Sequence, residues 1–143
     1  MQISENEPIF SIGVAAEKLD IAVPTMRMYE KAGLVIPHRT NSGRRFYSIS
    51  DLKRITYIRK LIKKEALNLA GIRRLMALIP CWELKPCPPE SKKKCPAYND
   101  CKNICWMLPE TICKAEDRSC ISCSVYLQSC ETTNNLKQIM HKK

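Results

Sequence analysis

The sequence predicts a mainly α-helical protein built as two small domains. Three observations carry that reading. All nine cysteines fall in the second half, from Cys81 on, and none precedes it. Apolar residues of the first half recur at i, i+3, i+4 and i+7, the spacing of one helix face. Pro80 then follows LAGIRRLMALI, where a helix would end, because proline lacks an amide donor and disfavours helical geometry in the residue before it. Residues 1–79 carry 14 Lys and Arg against 7 Asp and Glu, net +7; residues 80–143 carry 10 against 7, net +3. The domains are placed at 9–79 and 80–130, with 131–143 as a tail that is a frayed helix or disordered. Neither half can bury a large core. The second is of a size that often needs a metal or disulfides for stability.

Along the chain, Ser11 is a candidate N-cap for a first helix in FSIGVAAEKLDI, with Ile12, Ala15, Ala16 and Leu19 on one face. Asp20 to Val23 makes a turn. Pro24 suits the first turn of a second helix, PTMRMYEKAG, and Gly33 its C′ position. Two short helices joined by a tight turn form a helix-turn-helix, whose second helix enters the DNA major groove. Leu34-Val35-Ile36 and Arg45-Phe46-Tyr47 are β-prone runs flanking HRTNSG, which has hairpin chemistry; together they make a basic wing. Ser50 is the expected cap of a third helix, SDLKRITYIRKLIKK, with Leu52, Ile55, Ile58, Leu61 and Ile62 on one face. A fourth follows in NLAGIRRLMALI.

Thr25, Arg27 and Tyr29 are expected on or near the exposed face of the second helix. There, hydroxyl and guanidinium groups reach base edges or phosphates. The competing reading gives Arg27 a structural ion pair and leaves Tyr29 half-buried. Arg39, Arg44, Arg45 and Tyr47 in the wing are expected to grip the flanking DNA backbone. Outside this context, such a basic run is better read as a solvated loop.

These residues fall in an ordered pattern. Thr25, Arg27, Tyr29, Glu30, Gly33 and Leu34 fit T-x-R-x-Y-E-x-x-G-L; Arg39, Gly43, Arg45 and Tyr47 fit R-x-x-x-G-x-R-x-Y; Asp51 and Leu52 open the next helix. The run closely resembles the MerR-type winged helix-turn-helix, and NLAGIRRLMAL is most similar to its heat-shock-repressor branch. The resemblance implies a homodimer that binds a near-palindromic promoter element, distorts it and works with RNA polymerase there. Many MerR-type proteins continue into a long coiled-coil helix. Here Pro80-Cys81 arrives almost at once, so the dimer contact must be made otherwise.

The cysteines admit three uses: disulfides, metal or cluster ligands, or redox thiols. The N-terminus is polar and lacks the basic-then-apolar layout of a secretory signal. No stretch approaches the ~20 apolar residues of a membrane span. The expected location is cytoplasmic, where thiols stay reduced and clustered cysteines more often hold metal. The only histidines are His38 and His141, so the site would be all-thiolate, which suits zinc, copper(I) or an iron–sulfur cluster. Only Cys120 and Cys123 form a C-x2-C pair; the wider spacings favour an iron–sulfur cluster, with zinc as the alternative.

CWELKPC, CPAYNDCKNICW, Cys113 and CISCSVY together resemble the two-CW cysteine-rich domain. That resemblance implies a cofactor or redox role for Cys81, Cys87, Cys95, Cys105, Cys113, Cys120 and Cys123. Cys101 and Cys130 are extra to the pattern. Trp82, Trp106 and Tyr98 either shield a centre or form the small core.

The combined expectation is a DNA-binding transcriptional regulator whose cysteine cluster senses redox or metal state. One alternative is a regulator with a purely structural zinc-stapled module; another is a metal-handling or electron-transfer carrier. No nucleophile–base or carboxylate pair stands out, so an enzyme is not expected.

Overall fold

The computed structural model describes residues 4–85, 87–115 and 119–141. The chain divides into two compact units, Met1–Ala70 and Gly71–Lys143.

In the first unit, strand β1 (Phe10–Ser11) runs directly into helix α1 (Ile12–Leu19). Ser11 serves both: its hydroxyl accepts the Val14 amide at 3.4 Å, meeting one of the unpaired donors at the helix start. Ala15 and Ala16 are buried, and their small side chains let α1 lie against helix α2 and strand β3. Asp20 closes α1 in the left-handed region, at φ 54°. Helix α2 (Val23–Lys31) has no side-chain cap; Pro24 sits in its first turn instead. Its end is a Schellman closure: the Gly33 amide donates to Glu30 O at 2.9 Å and the Leu34 amide to Tyr29 O at 3.0 Å. Gly33 takes φ 81°, where any side chain would be strained.

That closure alters the expected wing. Leu34-Val35-Ile36 is not a strand: Leu34 and Val35 are core residues, and Arg54 donates through Nε to Leu34 O at 2.5 Å. The strand begins after Pro37, as β2 (His38–Arg39), and returns as β3 (Arg45–Tyr47). The sheet order is β1-β3-β2, antiparallel, with Phe10 opposite Tyr47 and Arg39 opposite Arg45. Thr40 and Gly43 (φ 85°) make the intervening turn.

Helix α3 (Ile49–Lys64) is capped by Ser48, not Ser50. Ser48 Oγ accepts the Asp51 amide at 3.1 Å, and Asp51 Oδ2 accepts the Ser48 amide at 2.8 Å. This reciprocal box satisfies two orphan donors at once. Ser50 points elsewhere and donates to Asn6 Oδ1. Ile55, Ile58 and Leu61 are buried, while Leu52 and Ile62 are half-buried.

The chain passes into the second unit within α4 (Leu69–Ala77), whose Ile72 and Met76 are buried. Short helices follow: α5 (Cys81–Leu84), α6 (Pro89–Lys94), a 3-10 turn (Cys105–Met107), α7 (Ile112–Ala115), α8 (Ser124–Leu127), α9 (Ser129–Asn134) and α10 (Leu136–His141). Trp106 is buried and meets Tyr126 edge-on, ring centroids 5.1 Å apart. It is therefore part of the small core. Lys114 ties α7 to the 3-10 turn by donating to Trp106 O and Leu108 O. The expected tail is helical through His141, with Thr132 buried; its last two residues lie outside the described ones. Among the described residues, no helix is long and apolar enough to cross a membrane.

Candidate functional site

Helix α2 has a buried side, Met26 and Tyr29, and an outward side on which Arg27, Met28 and Lys31 are exposed. Thr25 is half-buried at the start of that side. Among the described residues Arg27 has no hydrogen-bond or ion-pair partner, so its guanidinium is open to a ligand. Two expected contact residues are placed differently. Tyr29 is 3% exposed and Tyr47 1% exposed, so both rings are core. Tyr29 lies three residues after Met26 on the inward stripe, and Tyr47 turns inward from β3. Met28 and Lys31 share that outward side with Arg27, and continuing the helical period from Arg27 reaches Lys31 one turn on.

The wing is fastened to α2 by one carboxylate. Arg39 Nη2 lies 2.8 Å from Glu30 Oε1, and Arg45 Nε lies 2.6 Å from Glu30 Oε2. Arg39 also donates to Gly43 O across the turn. The wing arginines therefore divide. Arg39 and Arg45 hold strand to helix, while Arg44 is exposed and lies over the Phe46 ring at 5.6 Å. Tyr47 feels the same cluster: burial first, and then the charge of Glu30, push its phenol up to about 12. Its hydroxyl is buried with no hydrogen-bond partner among the described residues.

In the second unit, short helices present thiols at their ends. Cys81 opens α5, Cys95 ends α6, Cys105 opens the 3-10 turn, and Cys123 precedes α8. The Cys120-x2-Cys123 turn is closed by the Cys123 amide donating to Cys120 O at 3.1 Å. Cys81, Cys95, Cys105, Cys113, Cys120 and Cys123 line one cavity, with Lys85, Trp106 and Tyr126. A second is lined by Cys81, Cys87, Cys95 and Cys113, again with Lys85, and by Trp82 and Tyr98. The seven cysteines of the sequence pattern thus all face these two cavities, whereas Cys101 is exposed and neither it nor Cys130 lines them.

Lys85 donates through Nζ to Cys113 Sγ and approaches Cys123 Sγ at 3.9 Å. Burial, with neighbouring thiolates next, pushes the Cys105 thiol up to about 12 and Cys81 to about 11. No disulfide joins any of the cysteines among the described residues. Among the described residues, no three His, Cys, Asp or Glu side chains converge tightly enough to hold an ion as they stand. Among the described residues, each cavity offers several thiols and no imidazole or carboxylate, with the hydroxyls of Thr111 and Ser119 on the larger wall; the thiols fit a thiophilic metal or cluster.

Residues 10–79 match the family described as MerR HTH family regulatory protein. The N-terminal segment is a MerR-family helix-turn-helix domain. Similar proteins include a putative heat shock protein HspR of Streptomyces coelicolor, 36% identical over 77 residues, which span 54% of this chain and 51% of that protein. The HTH-type transcriptional regulator GlnR of Bacillus anthracis is 32% identical over 71 residues, 50% of this chain and 54% of that one. The uncharacterized HTH-type transcriptional regulator YyaN of Bacillus subtilis is 41% identical over 69 residues, 48% and 49% of the two chains. The chain spans about half the length of these relatives. The family-matched residues 10–79 carry Arg27, Lys31 and the Glu30-anchored wing and none of the cysteines.

Proposed function

We propose that the protein is a DNA-binding transcriptional regulator of the MerR/HspR type. The observation that carries this reading is the outward face of α2, with Arg27 unpaired and Lys31 one turn on, beside a wing fixed by Glu30. A rigid helix with a free guanidinium is suited to a guanine edge or a phosphate. Arg44, at the wing, supplies backbone grip. A homodimer would place two such helices on half-sites about one turn of DNA, ~34–36 Å, apart. The double-stranded partner is promoter DNA, with RNA polymerase at the same promoter. Arg27→Ala should cost about 1–3 kcal/mol on the preferred site and relax its sequence preference. Unchanged affinity and preference in a competition assay would remove Arg27 from the reading face.

The finer part of the proposal is that the thiol-lined cavities hold an iron–sulfur cluster, or zinc in the alternative, and that its state alters promoter binding. Seven thiols on the cavity walls support it. When bound, such a centre would crosslink short helices that have little apolar core of their own. Metal and acid-labile sulfide analysis after anaerobic purification separates the two: iron with sulfide supports a cluster, zinc alone a structural staple. One preparation, split into loaded and stripped halves, should differ in operator affinity by roughly 5- to 150-fold, the usual range of allosteric coupling, or in DNA bending. Equal affinity, bending and transcription would reduce the module to a staple.

A further inference from the structure

The two cavities are not independent holes. Cys81, Lys85, Cys95 and Cys113 belong to the walls of both. Cys87 faces only one, and Cys105, Cys120 and Cys123 only the other. Cys81 and Cys113 therefore stand between two thiol groups.

A single structural ion needs four ligands. Serving one ion would leave three further thiols facing the same space without a partner. A thiolate carries enough lone pairs to bind two metal ions at once, so thiols on a shared wall suit bridging. Bridged thiolate centres accumulate negative charge, and Lys85 places an ammonium on that same wall, against Cys113 and Cys123.

We propose that the seven thiols form one two-lobed site for a polynuclear thiophilic-metal centre, in which Cys81, Cys95 and Cys113 bridge the lobes. Each thiol that binds releases its proton to solvent, and no electron transfer is required. This deepens the metal reading above and rests on it.

The test is titration of the reduced, metal-free full-length chain with cadmium under anaerobic conditions. It is followed by thiolate-to-cadmium absorption and by native mass spectrometry in the presence of a weak chelator. The expected result is more than one retained ion per chain. The Cys101→Ser/Cys130→Ser double variant should match the wild type. Cys87→Ser should lose ions from one lobe only, and Cys120→Ser/Cys123→Ser from the other. Cys81→Ser should weaken both. Saturation at a single ion overturns the two-lobed site while leaving the metal reading intact, and so does a Cys87→Ser chain that binds like wild type. No thiolate–cadmium band at all overturns both. The wild-type stoichiometry decides the question even where a variant fails to fold.

Discussion

At the scale of single residues, Glu30 is the point on which recognition helix and wing agree. Each of its oxygens has its own arginine, from β2 and β3, and the carboxylate is largely enclosed. Exposed ion pairs contribute only about 0–1 kcal/mol, so the pairing acts more on position than on stability. Glu30→Gln should lower stability by about 1 kcal/mol. It should also release Arg39 and Arg45 to DNA phosphates, steepening the log–log salt slope by about 0.9 for each phosphate gained. An unaltered slope would show that these arginines already reach DNA while paired. Tyr47 poses the opposite problem, a buried hydroxyl with no hydrogen-bond partner among the described residues. Its phenol titrates near 10.0 when free and about 12 in the fold. The fold thus favours the neutral form; that contribution is present below pH 10 and lost as pH rises toward 12. Tyr47→Phe should leave the head as stable or up to ~1 kcal/mol more stable at neutral pH. It should also flatten the alkaline loss seen in urea melts between pH 10 and 12. A variant that is less stable and equally alkali-sensitive would mean that the hydroxyl has an unseen partner.

At the scale of elements, local signals were legible where they were both short-range and unambiguous. Ser11, Pro24 and Gly33 occupy the structural roles their chemistry suggested, because caps and closures involve residues within one turn. The Leu34–Ile36 run misled because aliphatic β-formers also suit a buried link, and the bond from Arg54 comes from 20 residues away. The choice between Ser48 and Ser50 could have been made in advance. Only Ser48 has an acid three residues on, Asp51, the spacing of a capping box. Ser48→Ala should therefore cost about 0.5–2 kcal/mol in thermal or denaturant unfolding, and Ser50→Ala clearly less. The reverse order would undo the cap assignment. Strand β1 escaped notice because two residues cannot display alternation. In the thiol unit, the seven cysteines were legible as a group, but the role of Lys85 was not. Nothing local marks a lysine that meets a cysteine 28 positions away.

At the scale of the whole molecule, one unit carries ordinary helical packing and the other seven thiols on two cavities, with a few buried side chains, Ile104, Trp106, Val125 and Tyr126 among them. Removing a bound metal should therefore lower protease resistance after Gly71 while the head keeps its helical signal and binds DNA; loss of both together would argue against separable units. Uptake should strengthen with pH. Cys81 and Cys105 hold their protons to about 11 and 12, so each must surrender one to bind, and raising pH reduces that cost. The number of thiols facing the cavities has a further consequence, one of parity. Disulfides consume sulfurs in pairs, and seven is odd. However completely oxygen attacks a metal-free site, one cavity thiol must remain without an internal partner. It can then turn to Cys101, to Cys130, or to another chain. Full oxidation cannot close this site upon itself, so metal loss in air should be recorded as strained crosslinks or covalent dimers on a non-reducing gel, and reversed by a thiol reductant.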